Sequence, residues 1–216
     1  MASILLLQND PLVGEGLRRA VATEPGLQVS GLAGSLAQAR RHLAQTGADL
    51  LVADLRIGDE RLIDLLRERR ERGLAGRPPV LVIAMAPEDP HLMQALRQGA
   101  DGYFIHGNPM NALASVIRQV LAGESPMSPP IARRLQAHFK QADGMGHGLH
   151  HEAPPTPGLT DTERQMLKRV SQGYLLHEIA REMQTSEHSV GLRTRSLYRK
   201  LQLDARAGAL VVRQAA

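Results

Sequence analysis

The chain has 216 residues, 43% of them apolar and 2% aromatic, with no cysteine and a net charge of +4. That apolar share supports an aliphatic core and excludes wholesale disorder, while the lack of cysteine excludes disulfides, thiolate zinc sites and cysteine nucleophiles. No apolar run approaches the ~18 residues of a membrane span, and "SILLL" is too short for a signal peptide, so the chain reads as soluble and cytoplasmic.

Charge is unevenly placed. Residues 1–126 carry 13 Arg, no Lys and 14 Asp plus Glu, whereas residues 159–216 carry 10 Lys plus Arg against 6 acids. A near-neutral front and a basic back direct any polyanion to the back.

Along the front, short apolar runs alternate with amphipathic segments. The runs "SILLL" (3–7), "LQVSGL" (27–32), "DLLVA" (49–53), "PVLVIAM" (79–85) and "GYFI" (102–105) predict strands covered on both faces. Segments 11–23, 35–45, 60–73, 89–98 and 109–122 predict helices, the last started by Asn108 and Pro109. Five such repeats imply a doubly wound parallel sheet, an α/β domain over residues 1–125. Function in such sheets gathers beyond the C-terminal strand ends, here Gln8–Asp10, Asp54, Ala84 and His106.

Residues 126–158 read as a linker: a helix over "PPIARRLQAHF" (129–139), then "KQADGMGHGLHHEAPPTPG" (140–158), rich in Gly and Pro. Its His147, His150 and His151 are either metal ligands or passive residues of a flexible tract, and the composition favours the second. Residues 159–216 predict a small all-α domain of four helices. Thr160 and Glu163 have capping-box spacing at the head of the first, over 161–172. "LLHEIAREM" (175–183) and the basic "TSEHSVGLRTRSLYRKL" (185–201), capped by Ser186, make a helix-turn-helix, and Asp204 is expected to cap a fourth helix, "ARAGALVVRQA".

Both halves together resemble response regulators of the NarL/FixJ type, in which a phosphoacceptor receiver of flavodoxin-like fold precedes a LuxR-type helix-turn-helix. "NDPLVGEGL" (9–17), "ADLLVADLR" (48–56) and "QGADGY" (98–103) look like receiver landmarks. Leu159-Thr160, Glu163-Arg164, Leu167, Gly173, Glu178-Ile179-Ala180, Ser186-Glu187, Val190 and Lys200-Leu201 carry the LuxR-type pattern. The resemblance makes Asp54 the phosphoacceptor position. The family's metal-binding acid pair falls on Gln8 and Asn9, its Thr/Ser on Ala84, its Lys on His106, and its switch aromatic on Tyr103. The acceptor stands while its supporting groups are replaced. Amides bring no negative charge to Mg²⁺, which gives up water reluctantly, so the receiver is expected to be degenerate and to work without phosphorylation or cofactor. Asp10 and Asp59 are the nearby acids that could stand in as ligands.

By the same resemblance the 185–201 helix enters the major groove. Its face carries His188, Gly191, Leu192, Arg195 and Arg199. Leu192 and Arg195 become the base readers, and Arg193, Arg199 and Lys200 the phosphate contacts. Gly191 stands where the family usually has Lys. The apolar Leu210, Val211 and Val212 are expected to form a dimer seam. The reading is a homodimeric transcriptional regulator of duplex DNA, with no nucleophile–base pair or metal cluster pointing to an independent catalytic activity. Two rivals stand beside it. One is a protein-interaction module that pairs with other regulators or a sensor and hardly reads DNA. The other is a working receiver phosphorylated at Asp54.

Overall fold

A computed structural model of the chain describes residues 1–71, 77–145 and 158–214. The chain divides into two compact units, Met1–Pro126 and Met127–Ala216.

The first unit is built on β1 (Ala2–Leu7), β2 (Leu27–Ala33), β3 (Leu50–Asp54), β6 (Val80–Ala84) and β7 (Gly102–Ile105). They form one parallel sheet in the order β2-β1-β3-β6-β7. The intervening helices are α1 (Pro11–Ala22), α2 (Leu36–Gln45), α3 (Leu62–Glu71), α4 (Pro90–Gln98) and α5 (Asn111–Leu121). This is the α/β sheet expected from the alternation of apolar runs and amphipathic segments. Strand residues alternate between faces, so Ile4 and Leu6 of β1 join Val52, Ile83 and Phe104 in a core closed by Leu17, Val21, Leu113, Ile117 and Val120 of α1 and α5. Leu5 and Leu7, equally buried, point to the other face.

Two details differ from expectation. The segment after β3 makes a two-residue antiparallel ribbon, β4 (Arg56–Ile57) with β5 (Glu60–Arg61), before α3 begins. Gly58 turns it at φ +60°, a conformation that favours glycine. The α5 helix starts at Asn111 rather than Pro109, because the Asn108 N–H closes a turn on the Ile105 carbonyl at 2.9 Å and the first helical bonds run back to Pro109 and Met110.

The second unit contains α6 (Pro129–Met145), α7 (Asp161–Ser171), α8 (Leu176–Glu182) and α9 (Glu187–Gln214). The helix foreseen as leading out of the first domain is longer, and within this unit its Arg133 guanidinium donates to the Ser171 carbonyl at 2.9 Å, satisfying an end carbonyl of α7. The expected third and fourth helices run as one. Asp204 does not cap a new start; its carboxylate lies 3.2 Å from His138 Nε2 on α6, and Gln202, Leu203 and Ala205 carry the helix through. The core of the unit joins Met166, Leu167, Ile179, Val190, Leu197, Tyr198 and Leu201.

Candidate functional site

The parallel register brings the C-terminal ends of β1, β3 and β6 side by side: Leu7 pairs with Ala53, and Asp54 with Ile83. Gln8 leaves β1 buried, 5% exposed, and its amide is occupied at both ends. Nε2 donates to Asp54 Oδ2 at 2.9 Å, and Oε1 accepts from the Asp10 backbone N–H at 3.0 Å. The second oxygen of Asp54 faces the Arg56 N–H at 3.4 Å. Asp10 is the N-cap of α1, its Oδ1 accepting from Leu12 and Val13 at 2.8 and 3.2 Å.

Asn9, Asp54, Ala84, Met85, Asp89 and His91 line an open cleft of about 650 Å³, together with Leu55, Arg56, Gly58 and Pro90. Arg56, Asp89 and His91 were not picked out by sequence. For Asp89 and His91 the signal lay in the Asp89-Pro90 start of α4, where Asp89 Oδ1 accepts from the His91 N–H at 2.8 Å and meets the His91 ring at 3.0 Å. His106 is half-buried and continues the β6–β7 ladder, its N–H on the Ala84 carbonyl at 2.9 Å, but it does not line the cleft. Tyr103, three residues earlier on β7, is buried.

These groups do not fit Mg²⁺. Asp54 already accepts a bond from a neutral amide, the Gln8 oxygen is taken, and the Asp10 carboxylate is committed to a helix end. Among the described residues no set of three His, Asp or Glu is arranged to hold a metal ion. The linker histidines His147, His150 and His151 lie outside the described residues.

In the second unit the capping box forms as its spacing predicts. The Thr160 N–H donates to Glu163 Oε2 at 2.7 Å, and the Glu163 N–H to Thr160 Oγ1 at 3.2 Å. Lys200 joins it: Nζ donates to Glu163 Oε2 at 2.6 Å and to the Gly158 carbonyl at 2.9 Å. Lys200 therefore turns into the fold, away from the phosphate-contact role given to it by sequence, because the buried Glu163 needs a cation. Burial pushes the Glu163 carboxyl up, but the Lys200 ammonium and the Thr160 N–H and hydroxyl outweigh it and hold it below the usual carboxylate range.

Helices α8 and α9 are joined by a four-residue turn in which Gln184 takes φ +50°. Ser186 caps α9, its hydroxyl accepting from the Ser189 N–H at 3.1 Å. His188, Leu192 and Arg199 are exposed at spacings of one helix face; Arg193 and Arg195 are half-buried, and Gly191 is buried. Val190, Leu197 and Leu201 are core, as the sequence implied. The side chains of Leu210, Val211 and Val212 lie outside the described residues.

A parallel sheet with an aspartate at the end of its third principal strand, followed by a capped helix-turn-helix, matches two family models. The response regulator receiver domain covers residues 4–118, and the luxR family of bacterial regulatory proteins covers residues 157–212. The chain is a response regulator with a LuxR-type DNA-binding domain. This response regulator is 27% identical to the nitrate/nitrite response regulator protein NarL of Escherichia coli K12, over 97% of its length and 94% of NarL. It is 29% identical to the DNA-binding transcriptional activator DevR/DosR of Mycobacterium tuberculosis, over 98% and 93% of the two chains. Among solved structures it shares the fold of RcsB from Salmonella enterica serovar Typhimurium bound to promoter DNA, with TM-score 0.55 at 16% identity over 96% and 98% of the chains. Among the described residues no helix of the response regulator is long and apolar enough to cross a membrane.

Proposed function

We propose that this response regulator controls transcription as a homodimer on duplex DNA and that its receiver acts without phosphorylation. The observation that carries the second part is the amide–carboxylate bond from Gln8 Nε2 to Asp54 Oδ2 at 2.9 Å. In a pocket with clustered carboxylates, like charges repel and recruit a cation. Here two of the three positions are amides, and one amide ties the remaining carboxylate in place. Ala84 offers no hydroxyl to a phosphoryl oxygen, and His106 stands outside the cleft. The pocket can rest in one arrangement without metal or phosphate.

DNA binding in this reading uses α9. His188 and Leu192 face outward with Arg199, and Arg195 lies on the same stripe, while Arg193 flanks it. The homodimer is assigned to the apolar stretch Leu210, Val211, Val212 from its sequence pattern.

The deciding experiment is the intact mass of the full-length protein after incubation with acetyl phosphate and millimolar Mg²⁺. The expected result is an unmodified mass, with unchanged sedimentation and DNA affinity. A stoichiometric phosphoryl adduct that vanishes in Asp54→Asn and tightens dimerisation would establish a working receiver instead. For the second half, Leu210→Asp is expected to weaken self-association and DNA affinity together. If duplex binding is undetectable even at low salt, the reading gives way to a protein-interaction module.

A further inference from the structure

We propose that α6 is a strap that holds α9 in one piece, and that release of Asp204 from His138 lets α9 break into two helices. Ile131, Ala132, Leu135 and Phe139 of α6 are buried, so one face of that helix is packed within the second unit. Two polar ties hold it there. Arg133 donates to the Ser171 carbonyl at the end of α7 at 2.9 Å, and His138 Nε2 lies 3.2 Å from Asp204 Oδ2 on α9. The His138 and Asp204 side chains are 21% and 13% exposed, so little water competes for the second tie.

The strap matters because of what Asp204 does without it. Aspartate is among the best N-cap residues and ranks low in helix interiors, where its carboxylate competes for nearby backbone N–H groups. Yet α9 runs unbroken from Glu187 to Gln214, with Asp204 inside it. His138 occupies the carboxylate and removes it from that competition. With the donor gone, the same carboxylate can accept from the backbone N–H of Arg206 or Ala207, the bond that opens a new helix. One side chain thus decides between two arrangements of α9. Tied to α6, Asp204 is an interior residue; untied, it is a cap.

The consequence falls on self-association, and that step rests on the reading of Leu210, Val211 and Val212 as the dimer seam. Position 211 follows position 204 by two turns on one stripe of α9, the stripe that α6 approaches at His138. Strap and second copy therefore compete for one side of the helix, and a break at Asp204 swings the seam away from α6. The chain leaves the first unit at Pro126 and enters α6 at Pro129, so a change in the receiver reaches the strap along the backbone without a phosphoryl group.

The test is amide hydrogen exchange of the full-length protein over residues 202–208, with sedimentation of the same samples. His138→Ala is expected to speed exchange of this segment by about tenfold and to tighten self-association. His138→Gln, whose amide nitrogen reaches where Nε2 does, is expected to exchange like the wild type. Asp204→Ala and the double variant His138→Ala/Asp204→Ala are expected to stay protected, because alanine cannot cap and favours a helix interior. If His138 served docking alone, the double variant would exchange as fast as His138→Ala, and that result overturns the proposal. So does unchanged exchange in His138→Ala. Amides of α7 and α8 report the fold in each variant; an equal rise there in His138→Ala means a general loss of structure rather than a break, and also overturns it. If the segment opens as expected while sedimentation stays at the wild-type value, the two forms of α9 stand and the seam reading falls.

Discussion

Asp54, at the end of β3, and Glu163, in the first turn of α7, are carboxylates of the two units held by opposite kinds of partner. Asp54 is half-buried and meets the neutral Gln8 amide at 2.9 Å and a backbone N–H at 3.4 Å. Glu163 is 6% exposed and meets the Lys200 ammonium at 2.6 Å, along with the Thr160 N–H and hydroxyl. A neutral partner leaves the charge where it was and can be matched by a neutral isostere. An ionic partner in a buried place cannot be removed without stranding its mate. The comparison predicts that the receiver pocket tolerates exchange of its acid, whereas the second unit does not tolerate loss of its cation.

The largest effect is expected at Lys200. Its side chain and that of Glu163 are 15% and 8% exposed, so the pair is close to a buried one. Lys200→Met should leave Glu163 uncompensated and destabilise the second unit by about 3 kcal/mol, at the lower end for breaking such a pair. Urea unfolding, followed by far-UV circular dichroism on the full-length chain, measures it; a loss below ~1 kcal/mol breaks the comparison. The pH dependence has a fixed sign. Glu163 is held below its usual value in the folded state, so its contribution is complete above the unfolded value of about 4.3 and is lost as pH falls through the folded value. Stability of the second unit should therefore drop below about pH 4, and Glu163→Gln should flatten that drop while costing stability at neutral pH.

Next in size are the arginines of α9. Arg195→Ala should cost about 1–3 kcal/mol on the preferred duplex and relax base preference, because a base contact carries the discrimination. Arg199→Ala should weaken all sequences alike and reduce the salt slope of binding by about 1. Competition binding over a salt series separates them. Any loss of DNA affinity in Lys200→Met should track its unfolded fraction, since the ammonium is spent inside the fold.

Much of this was legible in the residues, and what was not has identifiable causes. The apolar strand runs are unambiguous because both faces of a parallel sheet are covered, and Thr160 with Glu163 gives a capping box by spacing alone. Gln8 and Asp54 are 46 residues apart, yet the strand order brings them together, so the site was legible once the fold was. Lys200 was misplaced because a lysine among arginines on a basic helix looks exposed; only the tertiary position of Glu163 turns it inward. Asp204 was expected to cap a helix because Asp is a good N-cap, but a carboxylate satisfied by His138 on another helix gives the backbone no reason to break. Arg56 reaches the cleft from the ribbon after β3, and Asp89 and His91 from the start of α4, a convergence no local pattern carries.

The smallest effects belong to the receiver pocket, where they sharpen the same contrast. Gln8→Asp would set a second carboxylate against Asp54 in place of the amide donor. In metal-free buffer it should destabilise the first unit by about 1–2 kcal/mol, the range for losing a hydrogen bond and facing a like charge. Millimolar Mg²⁺ should restore part of that loss in the variant while leaving the wild type unmoved, and thermal melts with and without the ion read both. Asp54→Asn reverses the roles with almost no consequence. The Asn oxygen can still accept from Gln8 Nε2, no ammonium or metal is left without its partner, and the position is half-buried, so water reaches whatever changes. The expected change in stability is within ~0.5 kcal/mol, as for substitutions that break no buried pair, with DNA affinity and sedimentation unaltered. A loss comparable to that of Lys200→Met would mean that Asp54 is held by charge after all, and the amide of Gln8 would then have to be read as one part of an ionic site rather than as its replacement.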